Sequence, residues 1–83
     1  MDYFVYIVEC RDKTLYTGIT TDIKARVIEH NSGEHGAKYT RVRRPVKLRY
    51  SESCTSKGAA LSREYVIKLL SREKKLALIK SVK

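Results

Sequence analysis

Eighty-three residues carry 18 lysines and arginines against nine aspartates and glutamates, a formal net charge of +9. That length allows one domain, residues 1–83, with a core so thin that any site must lie on or near the surface. A hydrophobic content of 42% beside 33% charged residues excludes a disordered chain.

The excess cations favour a polyanionic partner, because each phosphate neutralised releases counterions. No segment is long and apolar enough to insert into a membrane. Cys10 and Cys54 are the only cysteines, and neither belongs to a metal-ligand spacing. Met1, Asp2 and Tyr3 lead directly into an apolar run, without the basic and apolar regions of a secretion signal. The expectation is a cytoplasmic protein with two reduced thiols.

In chain order, Tyr3 to Cys10 is β-branched and aromatic and predicts a strand. Arg11, Asp12 and Lys13 form a turn, and Leu15 to Ile19 returns as a second strand. Asp22 is suited to cap a helix from Ile23 to about Asn31, with Gly33 as its C-cap. Residues 33–45 hold two glycines, the only proline and many cations, and read as a loop with about one helical turn. Val46 to Ser53 alternates apolar and polar and predicts a third strand with one face buried. Thr55 or Ser56 opens a longer helix through Leu70, and Ser71 caps a last one from Arg72 to about Val82. The order ββα(α)βαα predicts an α+β domain, a three-stranded sheet flanked by helices.

Six of the seven aromatic residues are tyrosines. If Cys10 pairs with Thr14 across a three-residue loop, Tyr6 faces Gly18 and pairs diagonally with Tyr16, so both phenols leave one face of the sheet. Gly18 then leaves room for a backbone or a phosphate to approach closely. Arg26 and His30 are i and i+4 on one edge of the first helix, beside Ile23 and Val27. On the long helix apolar residues cover most of the circumference, and Glu64 sits in the remaining polar gap with Lys68. Each of these has a plain reading: strand tyrosines, a solvated helix edge, an ordinary i, i+4 ion pair.

In this order, Tyr6, Tyr16-Thr17-Gly18, Arg26, His30 and Glu64 resemble the GIY-YIG endonuclease domain, and the resemblance runs over essentially the whole chain. It is strongest to the small stand-alone bacterial GIY-YIG proteins of unassigned function. The first motif stands as Phe4-Val5-Tyr6 and the second as Tyr16-Thr17-Gly18, so both tyrosines and the second glycine match while the first glycine does not. The sole asparagine, Asn31, does not stand where many family nucleases carry a C-terminal one. The resemblance implies a metal-dependent endonuclease or nickase that hydrolyses phosphodiester bonds of DNA, directed by structure and not by sequence. By the same resemblance Glu64 would ligate a single Mg²⁺ or Mn²⁺, and Arg26 would stabilise charge on the phosphoryl oxygens. Tyr6 by preference would take the proton of the attacking water, with Tyr16 or His30 assisting. A phenol of ordinary pKa is a poor base at neutral pH, so neighbouring cations such as Arg26 or Lys24 are expected to depress it.

The nucleic acid, DNA in preference to RNA, is expected along Lys38, Tyr39, Arg41, Arg43, Arg44 and Lys47, where a tyrosine is interleaved with cations. No base-reading motif accompanies them. Two other readings stand beside the nuclease. One is a catalytically weak nucleic-acid-binding module. The other is a subunit of a DNA-processing assembly that holds a partner protein through its C-terminal helix, for which an exposed apolar strip on residues 73–82 would be the mark.

Overall fold

The alternation of β-branched and aromatic residues from Tyr3 produces the central strand of the sheet. The computed structural model describes residues 2–32 and 38–81, and its elements follow the expected order. They are β1 (Tyr3–Glu9), β2 (Leu15–Thr20), α1 (Ile23–Ser32), α2 (Lys38–Arg41), β3 (Lys47–Cys54), α3 (Lys57–Lys68) and α4 (Arg72–Lys80). The sheet is antiparallel throughout, in the order β2-β1-β3.

The hairpin closes as its turn residues dictate. The Cys10 amide donates to the Thr14 carbonyl at 2.8 Å, and Lys13 takes the left-handed conformation at φ 72° that ends a three-residue hairpin loop. Asp12 steadies the turn by accepting from both the amide and the hydroxyl of Thr14. The resulting register pairs Tyr6 with Gly18 and Val8 with Tyr16.

Both faces of the sheet are covered. On one, Val5, Ile7 and Tyr50 pack with Ala60, Ile67 and Ile79 from α3 and α4. On the other, Tyr6, Val8, Cys10 and Val46 pack with Tyr16, Ile23 and Val27. A bulge in the β1–β3 ladder divides β3 between them. Ile7 pairs with Tyr50 but Val8 with Leu48, leaving Arg49 as the extra residue. Leu48 consequently stays 41% exposed, so the single buried face expected of this strand holds only from Tyr50 onward.

Ser56 and Ser71 cap their helices by accepting from the amides of Ala59 and Lys74. α3 is less enclosed than its composition suggests. Ala60 and Ile67 are buried, while Leu61, Tyr65 and Val66, and Leu69 at its C-cap, are exposed. α4 turns Ile79, Leu76 and Leu78 toward the core, so the apolar strip looked for on the last helix is spent inside the domain over its described part. Gly33, expected as the C-cap of α1, lies outside the described residues. Among the described residues no helix is long and apolar enough to cross a membrane.

Candidate active site

The site grows from the hairpin register. Tyr6 lies against Gly18, and a Cβ on that glycine would come within 2.6 Å of the Tyr6 hydroxyl. No other residue leaves the phenol its place. The opposing face of α1 supplies the rest. The Tyr6 hydroxyl is 2.8 Å from His30 Nε2, and Arg26 Nε donates to the same oxygen at 3.4 Å. His30 Nδ1 lies 2.7 Å from Thr40 Oγ1, so α2 closes the far end of the chain. The Tyr16 ring meets His30 edge-on, with centroids 5.5 Å apart, and stacks on Tyr39 at 5.9 Å. Tyr6, Tyr16, Arg26 and His30 therefore lie together on the α1 side of the sheet.

Glu64 arrives from the other layer. Ala60, Glu64 and Ile67 recur at i, i+4 and i+7, the side of α3 that faces the sheet. The polar gap expected around Glu64 is in fact this inner face. Its side chain is only 18% exposed, and Oε2 is 3.2 Å from Lys68 Nζ. The carboxylate is close enough to Tyr6 to bear on the charge of the phenol. α3 packs on the face of Val5 and Ile7, opposite the one Tyr6 shares with α1, so Glu64 stands across the sheet from the Tyr6–His30 pair.

Burial governs the protonation of this cluster. Tyr6 is held above the usual tyrosine range because desolvation outweighs the hydrogen bond and charge of Arg26. The depressed phenol expected from neighbouring cations does not occur: one cation at the oxygen cannot offset a ring that is 1% exposed. His30 is lowered to about 4, first by burial and then by Arg26, so it is neutral at pH 7. The Arg26 guanidinium is opposed by burial, yet its bonds to Tyr6 and Glu29 raise it above the usual arginine range. A neutral imidazole between two hydroxyls can accept from one while donating to the other.

For a divalent metal the donor set is sparse. Among the described residues no three His, Cys, Asp or Glu side chains gather as ligands. A hard cation that keeps water and phosphate in its shell would ask less of the described residues than a closed zinc-type site, since one carboxylate can anchor it.

The basic stretch divides into two parts. Lys38 and Lys47 are exposed, and Arg41 is exposed while holding a contact of its own. Arg43 instead binds Asp12 and the Tyr39 carbonyl and lies 4.0 Å above the Tyr39 ring, while Arg44 donates to the His30 carbonyl. Sequence reasoning missed Thr40 and the structural use of Asn31. Thr40 is wholly buried on His30; a threonine in a run of cations offered no signal. Asn31 clasps Val46 twice, accepting from its amide at 2.7 Å and donating to its carbonyl at 3.1 Å.

A sheet with a paired-tyrosine hairpin, an arginine and histidine on the next helix and a glutamate on a later one defines a class, and the comparisons agree. The model of the GIY-YIG catalytic domain matches residues 2–77, and the chain belongs to that family, whose members are generally nucleases. Within it the chain is similar to small bacterial proteins called UPF0213. It is 57% identical to one from Desulfotalea psychrophila, covering 95% of this chain and 72% of that protein. It is also 57% identical to one from Staphylococcus epidermidis, covering 93% of each. The solution structure of a UPF0213 protein from Bacillus halodurans superposes with a TM-score of 0.63 at 46% identity, over 99% of this chain and 86% of that one.

Proposed function

We propose that this domain hydrolyses phosphodiester bonds of nucleic acid, DNA in preference, as a metal-dependent nickase or endonuclease guided by the shape of its substrate. The observation that carries this reading is the chain Tyr6–His30–Thr40 with Arg26 donating to the Tyr6 oxygen. A phosphate seated at Tyr6 meets the Arg26 guanidinium, which gains strength as charge collects on the phosphoryl oxygens. The attacking water donates to the Tyr6 oxygen while Tyr6 passes its own proton to His30 Nε2. The raised phenol acts here as a relay, not as a standing phenolate, and His30 Nε2 takes its proton only transiently, because burial keeps the imidazole neutral. Thr40 and the Tyr16 ring fix the imidazole. Glu64 would hold a single Mg²⁺ or Mn²⁺, which when bound supplies Lewis-acid stabilisation to the scissile phosphate. Tyr39 and the exposed cations Lys38, Arg41 and Lys47 give the strand a stacking surface and phosphate contacts.

The Glu64–Lys68 pair and the protonated Tyr6 favour one rival, a binding module with little turnover. Glu64→Gln separates the two. Lost as an ordinary helix ion pair, it costs at most about 0.5 kcal/mol, and nucleic-acid binding persists. On the nuclease reading, Mn²⁺-dependent nicking of branched, single-stranded and duplex substrates disappears in the variant while folding and binding stay intact. Nicking that survives the change refutes the role of Glu64. A wild type that cuts none of these substrates with either metal leaves the binding module.

A further inference from the structure

A concave site lies away from Tyr6 and Tyr16, at the end of the sheet where β1 leaves and β3 enters. It is a cleft of about 280 Å³ lined by Glu9, Cys10, Arg11, Lys13, Pro45, Lys47 and Arg49. Four of these residues are cationic and one is anionic, and that anion, Glu9, is already bound to Arg49 at 2.8 Å. Among the described residues no hydrogen bond or ion pair engages the side chains of Arg11, Lys13 or Lys47, although the backbones of the first two are fixed. The Arg11 amide donates to the Arg43 carbonyl, the Lys13 amide to the Cys10 carbonyl, and Arg72 caps the Lys13 carbonyl. Like charges brought to one cleft repel one another unless an anion enters. A half-enclosed cleft with rigid walls and unspent cations is built to receive one. Cys10 contributes a neutral wall, since burial holds its thiol above the ordinary range.

We propose that this cleft is a second phosphate site, which takes a backbone phosphate of the same nucleic-acid strand that reaches Tyr6. It rests on the nucleic-acid reading above and extends it. Cys10 lies four residues beyond Tyr6, just past the end of β1, about 13 Å at the rise of a strand. That distance corresponds to roughly four nucleotides of helical rise. The surface between is continuous: Tyr16 stacks on Tyr39, Arg43 lies over Tyr39, and the Arg43 backbone is bonded to Arg11. A strand would cross stacking rings and arrive at a cationic pocket.

The test compares wild type, Arg11→Gln/Lys13→Gln and a control, Lys57→Gln/Lys80→Gln, which removes the same charge from exposed positions on α3 and α4. Binding of single-stranded oligonucleotides of about two nucleotides, too short to span both sites at the rise above, and of about twelve is followed by anisotropy across a salt series. For the longer strand the cleft variant should flatten the log K against log salt slope by about 1.4, the value for two phosphates on a single strand. The control and the short strand should change little. Glu9→Gln, which removes the competing carboxylate, should tighten the longer strand roughly threefold, the Coulomb value for unit charges about 7 Å apart in water. Inorganic phosphate should shift the amide resonances of Arg11, Lys13 and Lys47 in wild type and not in the cleft variant. A cleft variant that binds the longer strand as wild type does, or only as the control does, overturns the proposal. Phosphate shifts with no added affinity for the longer strand overturn it too, and mark a site for free phosphate. If no oligonucleotide of either length binds wild type, the nucleic-acid reading itself has failed.

Discussion

His30 carries the largest protonation penalty in the site, and its sign can be worked out. The unfolded chain takes up a proton near pH 6.5 and the folded one only near pH 4. Stability from neutral His30 is therefore complete above about pH 6.5, falls as the pH drops through that value, and is spent near pH 4. The full difference is ~3 kcal/mol, a large share of what a domain this size has to lose. His30→Gln, which keeps hydrogen-bonding capacity, should lower stability at pH 7.5 and nearly abolish its decline between pH 6.5 and 4. Urea unfolding at several pH values measures both, and an equal decline in the two proteins would assign it to other groups. Arg26 and His30 at i, i+4, beside Ile23 and Val27, pointed to a helix edge turned to the sheet boundary, and the buried His30 on Tyr6 bears that out. What the chain alone did not show is the second partner of the imidazole, Thr40, ten residues away.

The elements were legible where short-range rules decide them. The hairpin register followed from a three-residue loop, Ser71 caps the last helix as expected, and of Thr55 and Ser56 the structure takes Ser56. What escaped is what long-range packing decides: the β3 bulge that exposes Leu48, and the exposed apolar residues of α3. Glu64 is the instructive case. Its pairing with Lys68 was visible from spacing, yet its place between Ala60 and Ile67 on the sheet side depends on which face of α3 docks. The joint between α1 and β3 was also invisible, because it is a single side chain reading a distant backbone. Asn31→Ala strips both bonds from Val46, whose residue is only 3% exposed. Leaving those backbone groups unmatched costs about 1–3 kcal/mol, so the melting temperature should fall by roughly 4 °C or more. Asn31→Asp keeps an acceptor for the amide and should fall between. A melting temperature unchanged in Asn31→Ala would mean the joint is held by other contacts.

At the scale of the molecule, the net charge of +9 announced a polyanionic partner but not which cations remain available to it. The stretch from Lys38 to Lys47 looks uniform in sequence, and the fold makes it unequal. Arg43 is spent on Asp12, the Tyr39 carbonyl and the Tyr39 ring, and Arg44 holds the His30 carbonyl at the back of the site. Lys38 and Lys47 are exposed. Charge neutralisation should therefore have two different signatures. Lys38→Gln/Lys47→Gln should flatten the salt slope of duplex binding by about 1.8, two phosphates at 0.9 each, with thermal stability unchanged. Arg43→Gln/Arg44→Gln removes the same formal charge but also loosens α2 and the carbonyl behind His30, so it should lower the melting temperature. The loss of hydrogen bonds to charged groups, about 1.5–3 kcal/mol each before rearrangement, makes that drop plain by circular dichroism. Its change in salt slope should be smaller than that of the lysine pair, because a guanidinium already paired releases fewer counterions from a phosphate. Equal slopes with equal melting temperatures would mean that the arginine contacts do not persist in solution, and the stretch would then act as one undivided basic patch.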